Sequence, residues 1–80
     1  MNDQLMQASA AARNAALRKD WATVGTCAQQ ILHLDSANAE GHFLHGLALK
    51  AAGQPAEAIE SLTRCLEIDA RRYDAAVELA

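Results

Sequence analysis

Three histidines and two cysteines are the side chains in this chain of 80 residues that most readily support chemistry. His42 and His45 are three positions apart, so a helix would present both on one face. That spacing can hold a metal ion, with His33 as the candidate third ligand. No cysteine or carboxylate is spaced to complete a tetrahedral set, so we expect no metal. We interpret His42 and His45 as partly buried, hydrogen-bonded residues with a pH-sensitive role in packing.

The cysteines, Cys27 and Cys65, do not form a CxxC motif. A nucleophilic cysteine needs a histidine base and an orienting group close to it. Cys65 follows Arg64, but neighbouring residues of a helix point apart. We therefore expect two reduced thiols that pack as small apolar residues, no catalytic residue and no cofactor.

The elements that position these side chains follow from the composition. Alanine occupies 19 of the 80 positions, whereas there are one proline and three aromatic residues. Alanine and leucine favour helices, so the composition indicates an all-α domain. The net charge of −3 argues against nucleic acid as a partner. No apolar run approaches the length of a membrane span, and no leader-like segment is visible, so we expect a cytoplasmic protein without membrane contact.

Polar or turn-prone breaks divide the chain into segments whose apolar residues recur every three or four positions. The predicted helices cover residues 3–18, 39–52 and about 72–80, and two more begin near Asp20 and Pro55. Asp20 suits an N-cap, Pro55 suits the first turn of a helix, and Gly53 suits the position just past a helix end.

Shifting the sequence by 34 residues aligns residues 5–38 with residues 39–72 without a gap. In this alignment Asp20 falls on Gln54, and both precede a predicted helix. Strict identities between the two segments are few. The agreement of helix starts, turns and apolar stripes is what indicates a repeat. The identities are Ala22/Ala56, Leu32/Leu66 and Asp35/Asp69.

A helix–turn–helix unit with a period of about 34 residues resembles the tetratricopeptide repeat. We assign repeat one to residues 5–38, repeat two to 39–72, and a partial third repeat or capping helix to 73–80, all in one domain. His42 and His45 stand where tryptophan and leucine are usual in the family. The resemblance implies packing roles for five residues: Ala12, Gly46, Ala58, Leu62 and Cys65.

The resemblance also implies that the first helix of each repeat lines a concave surface that binds a peptide or a partner protein. Phe43 and Leu47 make this surface apolar, with Arg13 and Lys50 beside them, which suits an amphipathic helix or an extended peptide. A charged groove for an acidic peptide is the other interpretation. The expected contact residues are Arg13, Leu17, Glu40, Phe43, Leu47 and Lys50.

We therefore expect a non-catalytic interaction module, forming the N-terminal part of a larger protein. One alternative is homodimerisation, because four apolar residues lie where a further repeat would pack: Leu66, Tyr73, Val77 and Leu79. Another is an accessory domain of a larger enzyme. Residues 41–50 are similar to N-terminal repeats of bacterial sulfotransferase-like proteins.

Overall fold

A computed structural model describes residues 3–79, and all regular secondary structure in that range is helical. Each helix begins within about one residue of its predicted start, and α1 and α3 end one residue before their predicted ends. The all-α prediction with about five helices is confirmed. Ala80, the end of the predicted fifth helix, lies outside the described residues. The helices are α1 (Asp3–Leu17), α2 (Trp21–Leu34), α3 (Ala39–Ala51), α4 (Pro55–Ile68) and α5 (Tyr73–Leu79).

The turns after α1 and α3 have the same conformation. Lys19 has a φ of 58° and Gly53 a φ of 77°, both in the left-handed region. The amide of Asp20 donates to the carbonyl of Ala15 at 2.8 Å, and the amide of Gln54 makes the equivalent bond at 3.0 Å. This is the Schellman ending of a helix. Glycine adopts it without steric cost, whereas Lys19 is strained there.

The turns after α2 and α4 also match each other. The amide of Asn38 donates to the carbonyl of Asp35 at 3.0 Å, and the amide of Arg72 donates to that of Asp69 at 3.1 Å. Asn38 then caps α3, because its Oδ1 accepts from the amide of Gly41 at 2.8 Å. Both kinds of turn therefore recur 34 residues further along the chain, as the predicted repeat requires.

Consecutive helices pack against each other, and α1 also contacts α3. Ion pairs join α1 to α3 and α3 to α5, so these three helices lie side by side. Helices α2 and α4 cover their other side. The smallest extent of the molecule is 18 Å, which matches two layers of helices.

The core has two parts joined by one aromatic ring. The buried face of α1 consists of alanine and serine, which lets α2 approach closely. Phe43 packs against both parts of the core. The first part comprises Ala8, Ala12, Ala15, Val24, Cys27, Ala28, Ile31 and Leu44, and the second comprises Leu62, Cys65 and Ala75.

Candidate functional site

Two ion pairs mark the surface formed by α1, α3 and α5, which we call the α1/α3/α5 face. Arg13 contacts Glu40 twice, with Nε–Oε2 at 2.8 Å and Nη2–Oε1 at 2.9 Å. Lys50 contacts Glu78 with Nζ–Oε1 at 2.8 Å. Three of the predicted contact residues are therefore in interhelical ion pairs, and Arg13 and Glu40 pair with each other.

These pairs change the expected electrostatics of the face. The hydrogen bond to Glu40, and then its charge, raise the pKa of Arg13 above its ordinary value. Arg13 and Lys50 remain mostly exposed, so each pair contributes little to stability. Their main effect is that the carboxylates of Glu40 and Glu78 offset the positive charges of Arg13 and Lys50. An acidic peptide would have to compete with Glu40 and Glu78 for them.

Arg72, in the turn before α5, covers the ring of Phe43. Its guanidinium carbon lies 5.0 Å from the ring centroid, within the range of a cation–π contact. The same guanidinium contacts Asp74, with Nε–Oδ1 at 3.2 Å and Nη2–Oδ2 at 3.0 Å. The hydrogen bond from Arg72 lowers the pKa of Asp74, and that bond raises the pKa of Arg72. Phe43 is therefore held by the fold and is only half-buried.

Two open hollows lie on the α1/α3/α5 face. One measures about 270 Å³ and brings Leu47 together with Trp21. The other, about 360 Å³, lies beside Arg13. Leu17, at the end of α1, is 83% exposed. The first hollow is lined by Trp21, Leu47, Lys50, Ala51 and Glu78, and the second by Leu5, Met6, Ser9, Ala10, Arg13 and Asn38.

Four residues of this face were not predicted as site residues: Trp21, Arg72, Asp74 and Glu78. In the 34-residue alignment Asp74 is equivalent to Glu40, which was a predicted contact residue. The same shift applied to Glu40 would therefore have predicted Asp74 as a site residue. Glu78 pairs with Lys50 at a separation of 28 residues. That separation is not a repeat distance, and no sequence pattern indicates this pair.

The five residues predicted to pack between helices are all buried. Ala12 lies in the first part of the core, and Leu62 and Cys65 lie in the second. Gly46 lies directly against α4. A Cβ atom at Gly46 would be 2.8 Å from Cγ of Leu62 and 3.4 Å from the carbonyl oxygen of Ala58.

The histidines make hydrogen bonds within the fold. His42 Nε2 donates to the carbonyl oxygen of Ser36 at 3.0 Å. His45 Nδ1 lies 3.4 Å from Oγ of Ser61 on α4. Burial, with a smaller effect from the charge of His42, lowers the pKa of His45. His33 is exposed. In residues 3–79, no three histidine, cysteine or acidic side chains are grouped so as to hold a metal ion.

Cys27 and Cys65 are buried free thiols. Burial raises the pKa of the Cys65 thiol, which disfavours the nucleophilic thiolate. No buried side-chain nitrogen or oxygen in the described part of the chain lacks a hydrogen-bond partner.

Comparison with known proteins does not identify the chain. No protein-family model matches it, and no curated protein matches it. None of the helices within residues 3–79 has the length and apolar character needed to cross a membrane.

Proposed function

We propose that this chain is a non-catalytic protein-interaction module, built from two repeats of the tetratricopeptide type, whose α1/α3/α5 face binds a peptide or a partner domain. The proposal rests on one observation above all. Beside the Lys50–Glu78 pair, Leu47 and Trp21 line an open hollow, and Leu17 at the end of α1 is 83% exposed.

The recurring turn geometry supports the repeat interpretation. The hydrogen bonds of the turn after α1 recur after α3, and those of the turn after α2 recur after α4. Gly46 adds a close contact between the two helices of the second repeat. A chain built of such pairs presents alternate helices on one surface, and that surface is where solenoid proteins bind their ligands.

The chemistry of the surface supports an apolar anchor as the main determinant of binding. Arg13 and Lys50 are already paired with carboxylates, so a ligand gains little from its own charge there. Burying one leucine-sized side chain contributes about 1.5–3 kcal/mol. We therefore propose that the ligand inserts an apolar side chain beside Leu47 and packs against Leu17.

A cytoplasmic location is part of this proposal. Cys27 and Cys65 are both free thiols, as reducing compartments favour.

Panning a random peptide library on the purified chain tests the proposal. We expect bound peptides that share an apolar residue with a polar residue on either side. Leu17→Lys should weaken their binding about 10–100-fold, the equivalent of one buried leucine side chain. Ile59→Lys on α4 is the matched control, because it also replaces an exposed aliphatic residue with lysine away from this face.

Binding should be measured by titration calorimetry, with circular dichroism to verify that both variants are folded. Equal affinity for the parent and Leu17→Lys would refute the proposed face. A failure to select any peptide that binds the parent would refute peptide binding itself.

A further inference from the structure

The carboxylates of the two interhelical ion pairs are less exposed than the cations that they contact. The Glu40 side chain is 24% exposed, whereas that of its partner Arg13 is 62% exposed. The Glu78 side chain is 31% exposed, and that of its partner Lys50 is 55% exposed. In both pairs the cation is therefore the group that an approaching ligand meets first.

Each cation has hydrogen-bond donors beyond those directed at its partner. A guanidinium has five N–H groups, and Arg13 directs two of them, on Nε and Nη2, at the two oxygens of Glu40. Lys50 directs one of the three N–H groups on its Nζ at Oε1 of Glu78. Three donors of Arg13 and two of Lys50 are therefore not directed at these carboxylates, although the positive charge that carries them is already offset.

Donors of this kind distinguish an uncharged acceptor from a carboxylate. A carbonyl oxygen of the ligand can accept from Arg13 or Lys50 without bringing a second negative charge to the pair. A ligand carboxylate beside either cation also lies close to Glu40 or Glu78, so repulsion opposes the attraction to the cation. Placing a like charge at the binding site is one way in which proteins reject a wrong partner.

The two pairs lie on either side of the apolar part of the face. Glu40 and Lys50 are ten positions apart on α3, which corresponds to about 15 Å along the helix. Leu47 lies between them in the sequence and lines the open hollow together with Lys50. Arg72 is bound to Asp74 in the same way, so this third cation is also compensated by a carboxylate.

We propose that Glu40 and Glu78 determine the specificity of the α1/α3/α5 face by lowering its affinity for acidic ligands. Arg13 and Lys50 then donate to uncharged carbonyl oxygens on either side of the apolar anchor. These oxygens belong to the main chain of the ligand or to its asparagine and glutamine side chains, which offer the same acceptor chemistry. This specificity presupposes that the face binds a peptide, as proposed above.

Panning one random peptide library in parallel on the parent chain, Glu40→Gln and Glu78→Gln tests the specificity. Glutamine keeps the size of the side chain and one acceptor oxygen but removes the charge, so the neighbouring cation is no longer offset. We expect the parent to select peptides with few acidic residues beside their apolar residue, and each variant to enrich acidic residues there.

Calorimetry on one peptide selected by the parent gives the size of the effect. Exchanging an alanine beside its apolar residue for glutamate should strengthen binding to each variant about 2–5-fold, the effect of one exposed ion pair. The same exchange should not strengthen binding to the parent. Exchanging the asparagine and glutamine residues of the peptide for alanine identifies the acceptor: an unchanged affinity assigns main-chain carbonyls, and a lower affinity assigns side-chain amides.

Glu67→Gln is the matched control, because Glu67 is also paired with an arginine, Arg64, but on α4 in the other layer of helices. It changes the net charge by the same amount as the other substitutions, so general attraction of acidic peptides would appear in it too. It should select the same peptides as the parent. Circular dichroism verifies that every variant is folded, and Glu78→Gln decides the result if Glu40→Gln is unfolded.

The outcomes separate this specificity from peptide binding itself. A parent that selects no peptide refutes the proposed function and the specificity together. A parent that binds peptides, with the same fraction of acidic residues selected by the parent and by both variants, overturns the specificity alone. Equal enrichment by Glu67→Gln and Glu78→Gln also overturns it, because net charge would then be a sufficient cause.

Discussion

Adding one methyl group at Gly46 should destabilise the protein, although alanine is the better helix former. Exchange of glycine for alanine inside a helix normally gains about 0.8–1.0 kcal/mol. At Gly46 the new Cβ would be 2.8 Å from Cγ and 2.9 Å from Cδ2 of Leu62. Leu62 is 1% exposed, so moving its side chain disturbs the core residues packed around it. Overpacking of this kind costs about 1–3 kcal/mol.

The two effects at Gly46 leave a net loss of about 1 kcal/mol, which lowers the Tm of a domain this size by about 4–8 °C. Gly25 provides the matched control in α2. Its Cβ would meet only Cβ of Ala48, at 3.4 Å, which is an ordinary contact. Gly25→Ala should therefore gain about 0.5–1 kcal/mol. The two substitutions are chemically identical, and we expect changes of opposite sign.

Thermal and urea unfolding followed by circular dichroism measure both changes. The double variant Gly46→Ala with Leu62→Ala tests the cause. Removing the Leu62 side chain should make the added methyl group at Gly46 neutral or favourable, which appears as a coupling energy in the double-mutant cycle. If Gly46→Ala stabilises the protein as much as Gly25→Ala does, the close α3–α4 contact is refuted.

Two further predictions concern the first turn and the response to pH. Lys19→Gly should raise stability by about 1 kcal/mol, because it relieves left-handed strain at φ 58°; an unchanged urea midpoint would contradict this. His45 has a lowered pKa in the fold, because of burial and then the charge of His42, so the unfolded chain binds more protons just below pH 6.5. Stability should therefore fall as pH falls from about 7.5 to 5.5, and His45→Gln should reduce this slope; an equal slope in the variant would exclude His45 as the cause. Asp20 and Asp74, whose pKa values are lowered by hydrogen bonds, affect stability at lower pH, around and below their ordinary values.

Local sequence chemistry predicts the helices well. Asp20 accepts from the amide of Thr23 at the start of α2, and Pro55 opens α4. Gly53 has the positive φ expected just past α3. Each of these depends on residues within a few positions, so each can be read without tertiary information. The left-handed Lys19 is the exception, because only the equivalence with Gly53 indicates it.

The contacts across the α1/α3/α5 face were less accessible to sequence reasoning. Arg13 and Lys50 were predicted as contact residues of the concave surface without any partner within the chain, and both contact carboxylates 27 or 28 residues away. Long side chains choose partners according to how the helices are oriented, which no periodicity encodes. The coverage of Phe43 by Arg72 is of the same kind, because it depends on the path of the turn before α5.

The Lys50–Glu78 pair lies between two openings, the hollow beside Leu47 and a cleft between α4 and α5. Both residues line the hollow that contains Leu47, and both line the cleft that contains Ile59. The pair therefore forms a polar boundary that divides the exposed apolar residues into two areas. Because Lys50 and Glu78 compensate each other, a ligand that enters the hollow beside Leu47 meets an internally neutral pair rather than a free cation, so its affinity must come mainly from apolar contact.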